Sequence, residues 1–285
     1  MATPARLTRT LPAQRRVLPH LSDVLGGILL VSLAIFALLA LLLPMAVIVL
    51  VSFDSGPILR FPPQTFSFER YLEILDLVGF LDAIRLSIQV AAMVVFFDLL
   101  LGIPASIALV RGDFPGKSFI IGFLQSPMMI PGIVIGIAIL FFLSYVKVNV
   151  SVFLMTLSHV VITLPFVVRI TYARMVSADK TLEEAAQDLG ANRWQVFRHI
   201  LLPHLMPAII GGSAFAFLLS FDNLPTSIFT APVVDPPLPV YLFRLLLYNI
   251  NPIVSPIATL QILITFIVLF IALRTVGTKE LVGGR

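Results

Sequence analysis

The sequence predicts an all-α membrane protein with six transmembrane helices, and three observations carry that prediction. Hydrophobic residues make up 59% of the 285 and charged residues only 12%, where soluble domains carry about 45–50% and about 25%. The apolar residues form long blocks without charge instead of alternating with polar ones. Of the 19 basic residues, 14 collect at the block ends on one side of the inferred spans. A net charge of +4 therefore marks topology, since the basic residues form no continuous stripe of the kind that binds nucleic acid. The chain has no cysteine, which excludes disulfide frameworks, thiolate metal sites, iron–sulfur clusters and thiol catalysis.

About 20 helical residues cross a hydrocarbon core of roughly 30 Å, so each span is bounded by where charges stop. Span one fills the charge-free stretch between Asp23 and Asp54. Its apolar block is about twice the length of a signal-peptide core, so it is expected to stay as a helix. Span two covers about 83–110, interrupted by Arg85 and Asp98. Spans three and four lie in the gaps from Lys117 to Lys147 and from Lys147 to Arg169, and span five covers about 205–229 with Asp222 inside it. Span six fills the gap from Arg244 to Arg274, with Ser255 read as its N-cap and Pro256 as its first helical residue. The organisation is then a basic segment 1–23, one six-helix domain 24–275 and a tail 276–285, with an outer loop at about 53–82 and a long connection at about 173–204.

The segments before span one, between spans two and three, after span four and after span six hold the 14 basic residues, among them Arg111, Arg169 and Arg174. Arg60, Arg70, Arg85, Lys147 and Arg244 lie on the other side. The positive-inside rule then places both termini in the cytoplasm.

Spans two to five carry Pro104, Pro127, Pro131, Pro165, Pro207 and Pro225, with Gly132, Gly136, Gly211 and Gly212. Freed backbone groups are tolerated in lipid only where protein or a wet cavity satisfies them, so these helices are expected to face one another or a passage. Gly132 and Gly136 have the spacing for close helix contact. In the outer loop, Ser67 ahead of Phe68, Tyr71, Leu72 and Leu75 predicts a short capped amphipathic helix at the membrane surface.

The connection at 173–204 is the one long stretch where charged and apolar residues alternate with helical spacing. Leu182, Ala185, Ala186 and Leu189 recur at i, i+3, i+4 and i+7, backed by Glu183, Gln187 and Asp188. Thr181 and Glu184 have capping-box spacing, and Gly190 is placed to end the helix in a left-handed cap. Asn192 and Gln195 repeat the capping pattern for a second short helix, and Pro203 marks where span five starts. Such a helix either docks into a groove of another protein or lies on the lipid surface. Its acids Glu183, Glu184 and Asp188 speak against the second.

Glu184-Ala185-Ala186, three residues, Gly190, nine residues, Ile200, one residue and Leu202-Pro203 match position for position the loop signature of the membrane-spanning permeases of binding-protein-dependent ABC importers. The order of six spans with this loop between the fourth and fifth resembles that family over essentially the whole chain. The resemblance implies the type I importer permease fold. It also implies that residues 182–191, with Leu182, Glu184, Ala185, Ala186, Asp188, Leu189, Gly190 and Ala191, form the coupling helix that sits in a cleft of an ATPase subunit. Within the family, Ser220-Phe221-Asp222-Asn223, Thr230-Ala231-Pro232 and Leu238-Pro239-Val240 resemble the second permease of spermidine/putrescine-type systems, although permeases for opines and other small nitrogenous solutes look similar. The implied partners are two ATPase subunits, a second homologous or identical permease and an external binding protein, in a bacterial inner membrane.

The chain has no phosphate cradle of the form G-x-x-x-x-G-K-[ST], so ATP and magnesium are expected only on partner chains. His20, His159, His199 and His204 are dispersed and read as helix-end or packing residues, with no metal and no catalytic residues expected. The membrane-embedded acids are the candidates for the substrate path, because a carboxylate at a helix centre costs about 2.5–3.5 kcal/mol and faces protein or water. Asp222, beside Asn223 and just before Pro225, either attracts an ammonium group or bonds a neighbouring helix. Asp98 between Phe97 and Leu99 is the second candidate, with a polar helix–helix contact as its competing role. An ion-driven secondary carrier is the rival class and would need no ATPase.

Overall fold

The computed structural model describes residues 21–248 and 252–276. The basic segment 1–23 and the tail 276–285 fall almost wholly outside the described residues, as does His20. Among the described residues every regular element is helical, as lipid demands of backbone groups that can find no water. The chain divides into two compact units, 1–47 and 48–285. The first holds most of α1, Leu21–Val51, which is apolar on all sides, with a mean hydropathy of 3.0 over the span.

In the second unit, α2 (Glu69–Glu73) continues into a 3-10 turn, Ile74–Asp76, in the outer loop. The residue at its N-cap is Phe68, not Ser67, whose hydroxyl accepts the Glu69 N–H at 3.1 Å from one position further out. The Thr65 hydroxyl donates to Asp54 at 2.8 Å and holds that carboxyl below the usual carboxylate range. The long helix α3, Phe80–Arg111, follows and is span two.

Span three is not one straight helix. Lys117–Gln125 (α4), with a 3-10 turn through Met129, and Gly132–Tyr145 (α5) meet at 102°. Pro131 supplies the reason: it has no N–H to continue the ladder, and it forces Ile130 into extended backbone at φ −97°, ψ 128°. Helix α6, Val152–Val176, is span four, and it runs past Arg169 and Arg174. Those two arginines therefore belong to a helix, and the connection begins at Ser177 instead of Ala173.

The connection holds α7, Lys180–Asp188, and α8, Arg193–Val196. The second helix does not stand apart from span five. It passes through a π-helical turn, Phe197–Leu201, into α9, Leu202–Phe221, giving continuous helix from Arg193 to Phe221. The wider π turn accommodates Pro203, whose ring and missing N–H would otherwise break the preceding turn. Span five then stops at Phe221 and restarts as α10, Leu224–Thr230, so Asp222 lies at a helix end and not inside a span. Helix α11, Leu238–Tyr248, precedes α12, Val254–Val276, which is span six. Ser255 is already inside α12 and its hydroxyl donates back to the Pro252 carbonyl at 2.9 Å, so it is not the N-cap. Among the described residues five helices are long and apolar enough to cross a membrane, and the bent α4–α5 pair counted as one broken span makes six.

The centre of the second unit is α3, α6 and α9, which pack on one another. Gly102 allows α3 to approach α6, since a Cβ there would lie 3.1 Å from Val167. The Ser106 hydroxyl donates across that contact to the Val168 carbonyl at 3.1 Å. Small residues and interhelical hydrogen bonds of this kind hold helices together where lipid supplies no hydrophobic drive. On the side of the α7 loop, Met175, Leu201 and Leu205 form a buried cluster with Ile103, Ile107 and Val110 of α3. On the opposite side, Ile74, Phe80, Phe221, Leu238 and Ile257 form another.

Candidate functional site

The loop helix α7 begins at Asp179, not at Thr181. The Asp179 carboxylate accepts the Thr181 N–H at 2.9 Å and the Thr181 hydroxyl at 2.8 Å. The backbone bond, then the hydroxyl, hold that carboxyl below its usual range. At its other end Gly190 has φ +90°, the left-handed cap expected from the sequence. Its N–H bonds the Gln187 carbonyl and the Ala191 N–H bonds the Ala186 carbonyl, both at 2.9 Å. The Asn192–Gln195 capping box is present in both directions, at 2.8 and 2.9 Å.

The amphipathic stripe exists, but it is turned outward. Leu182 is 58% exposed and Leu189 90%, with Ala185 also exposed and Ala186 half-buried. The residue turned inward is Glu183, which is 9% exposed. Arg111, the last residue of α3, donates to the Glu183 carboxylate from Nε at 3.0 Å and from Nη2 at 2.5 Å, and also to the Ala178 carbonyl at 3.0 Å. An apolar face shown to solvent while an acid is paired beneath it is the reverse of a helix that stabilises its own chain. Leu189, Gly190 and Ala191 border a concavity of about 440 Å³ with Val196, His199 and Ile200. Glu184 and Asp188 are both exposed, and Glu184 pairs with Lys180 at 3.0 Å. Beside the loop, Arg174 Nε donates to the His204 carbonyl at 2.9 Å, and His204 Nε2 approaches the Arg174 carbonyl at 3.2 Å, locking α6 to α9.

The membrane-embedded acids are not brought together. Asp98 is fully enclosed between α3 and its neighbours, whereas Asp222 is exposed at the end of α9 and accepts a hydrogen bond from the Gln261 amide of α12. Asn223 is buried and caps α10, its side chain accepting the Thr226 N–H at 3.1 Å. Gly132 and Gly136 are in the close contact their spacing predicts. A Cβ at Gly136 would lie 3.0 Å from the Thr226 Cα, and the Thr226 hydroxyl donates to the Gly132 carbonyl at 3.1 Å.

Sequence reasoning missed two features. Periodicity alone makes Glu183 part of the polar backing of α7, but its placement opposite the stripe, together with a lone arginine ending span two, is the signal for an internal ion pair. His159 takes the packing role of the two expected for it, but its partners are not legible in the sequence: it is buried within α6, with Nδ1 at 2.9 Å from the Ser220 hydroxyl and Nε2 at 2.9 Å from the Ser227 hydroxyl. It thus bridges α9 and α10 across the break at Asp222, and only the tertiary fold shows that. Among the described residues no group of His, Cys, Asp or Glu could hold a metal ion.

Broken spans thus surround a packed helical centre, with an apolar-faced helical loop at one end. The model of the family described as binding-protein-dependent transport system inner membrane component matches residues 98–277. The spermidine/putrescine transport system permease protein PotC of Escherichia coli (strain K12) is 31% identical over 245 residues, 85% of this chain and 91% of its own length. The putrescine transport system permease protein PotI of the same organism is 31% identical over 246 residues, 83% of this chain and 86% of its own. Among solved structures, a bacterial ABC transporter involved in the import of the acidic polysaccharide alginate shares the fold, with TM-score 0.70 at 18% identity over 90% of this chain and 98% of that one. The chain belongs to the binding-protein-dependent transport system inner membrane components and is an ABC importer permease of the type I fold.

Proposed function

We propose that this permease forms half of an ATP-driven import pathway for a polyamine or related small nitrogenous solute, with α7 as the element that receives the stroke of an ATPase subunit. The observation that carries this reading is the outward stripe of α7. Leu182 is exposed, Leu189 is exposed at the edge of a concavity, and the helix is held from behind by Arg111. Small side chains at Ala185 and Ala186 allow close backbone approach by a partner groove. In this reading Glu184 and Asp188 meet the partner at the rim of the contact, and Ala191 borders it next to Gly190. A lipid-surface role fits less well, because the exposed rim carries Glu184 and Asp188 where anionic headgroups favour Lys and Arg.

The loop side is then cytoplasmic, both termini lie on that side, and the opposite face meets an external binding protein. A second permease, homologous or identical, completes the passage. Movement of α7 would tilt the α3–α6–α9 centre and alternate access to the passage. Polyamine chemistry is supported by the similarity to PotC and PotI.

Because the chain has no cysteine, Ala186→Cys gives a unique label. In membrane vesicles making the whole importer, it is expected to cross-link to the ATPase chain. Uptake should persist on ATP after proton and sodium gradients are collapsed. Absence of any cross-link in vesicles that still transport would overturn the docking reading, and uptake that dies with the gradients would favour a secondary carrier.

Asp222 is the better substrate candidate because it stands exposed at a helix break, with Asn223 fixing that break and Asp98 enclosed deeper in the bundle. Asp222→Asn keeps an acceptor for Gln261 and removes the charge. It should raise KM for a polyamine by about tenfold, the scale of one charge-assisted contact, with little change in unfolding temperature. An unchanged KM assigns Asp222 to helix packing alone.

A further inference from the structure

We propose that Arg111 is a positioning residue that couples α7 directly to α3, so that displacement of the loop helix enters the bundle through a side-chain strut as well as through the chain. The inference rests on the reading of α7 as the ATPase-docking element. By the chain alone, α7 is joined to α6 through residues 177–179 and to α8 through residues 189–192. Both joints are short, mostly exposed and outside regular helix. A nine-residue helix whose apolar side faces outward has little packing of its own to keep it in register with the bundle.

Arg111 supplies that register. Its guanidinium holds two points of the loop at once, the Glu183 carboxylate on α7 and the Ala178 carbonyl in the joint ahead of it. The two side chains are 21% and 11% exposed, so solvent screens the pair less than an open surface bridge. The post that carries Arg111 is firm. Gly112 ends α3 with its N–H on the Ala108 carbonyl at 2.8 Å, and a Cβ there would meet that oxygen at 2.5 Å, so the terminus is fixed at this residue. One turn back, Val110 and Ile107 are packed against Met175, Leu201 and Leu205 of the neighbouring helices. A push on α7 along the strut thus reaches α3, and through this cluster the loop-side ends of α6 and α9. Lysine cannot replace the arginine in full, since a single ammonium lacks the planar fork that spans a carboxylate and a carbonyl together.

The test uses the importer purified with its ATPase chain, reconstituted in vesicles and supplied with its binding protein, and reads solute taken up per ATP hydrolysed. Arg111→Glu and Glu183→Arg should each lower that ratio by about tenfold or more while the ATPase still co-purifies, and the double variant should recover to within about threefold of wild type. Arg111→Lys should fall in between, and it carries the test if the reversed charges prevent accumulation in the membrane. Three results would overturn the strut: an unchanged ratio in Arg111→Glu or, where that chain does not accumulate, in Arg111→Lys; no recovery in the double variant; or loss of the ATPase from the Arg111→Glu complex. Failure of the wild-type permease to co-purify with any ATPase would overturn the docking reading as well, which separates the two.

Discussion

A Gly190→Pro variant is expected to reach the membrane in normal amount and to lose uptake by more than about tenfold, because the substitution removes the stop of α7 and nothing in the spans. Gly190 has φ +90°, a conformation that proline, fixed near −65°, cannot adopt. The substitution also deletes the N–H that bonds the Gln187 carbonyl at 2.9 Å. The adjoining bond from Ala191 to Ala186 depends on the same reversal of the chain. With the cap undone, Leu189 and Ala191 no longer border the same concavity. Gly190→Ala separates conformation from space: a Cβ there meets nothing within 4 Å, so its only cost is the left-handed strain of about 1–2 kcal/mol. Uptake in inverted or reconstituted vesicles, normalised to permease in the membrane, measures both. Wild-type uptake from the proline variant would show that the shape of the cap is irrelevant to transport.

The second large effect belongs to the bent span. In Gly136→Val the new side chain meets backbone and not a movable tip: the Thr226 Cα at 3.0 Å and its carbonyl oxygen at 3.2 Å, with the Phe229 ring at 3.0 Å. Helix α5 must back away from α10, at about 1–3 kcal/mol for overpacking. The hydrogen bond from Thr226 to the Gly132 carbonyl stretches with it. A clear drop in unfolding temperature of the detergent-purified chain is expected, together with loss of uptake. Gly132→Ala is the control, since its Cβ has ordinary contacts at 3.5 Å. Equal unfolding temperatures for Gly136→Val and wild type would contradict the close α5–α10 contact.

Much of this architecture is legible in the sequence because lipid imposes a coarse rule. Charge-poor blocks locate the five long apolar helices and the bent α4–α5 pair, and the loop motif locates α7, its glycine stop and the Asn192–Gln195 box. What sequence did not give has identifiable physical causes. Hydropathy is blind to backbone direction, so the proline effect at Pro131 shows as an apolar block and not as a right-angle turn. The same blindness carried span five through Asp222, where Asn223 and Pro225 start a new helix. Local patterning finds caps but does not rank neighbouring candidates: Asp179 and Thr181 both have the right chemistry, and the carboxylate two residues upstream took the role. Periodicity defines the stripe of Leu182, Ala185, Ala186 and Leu189 but not which way it faces. The facing is set by Arg111, which is 72 positions away from Glu183. Asp98 and His159 were both visible as polar groups in apolar blocks, yet only packing shows His159 spanning Ser220 and Ser227.

The uninterrupted helix from Arg193 to Phe221 has a mechanical corollary. Its 29 residues extend about 43 Å at 1.5 Å each, so a rotation of about 5° around the midpoint carries either tip through about 2 Å. That excursion is beyond the slack of a hydrogen bond. The contact between Gln261 and the carboxylate at the far tip must therefore part, or α12 must travel along with it, whenever the near tip swings.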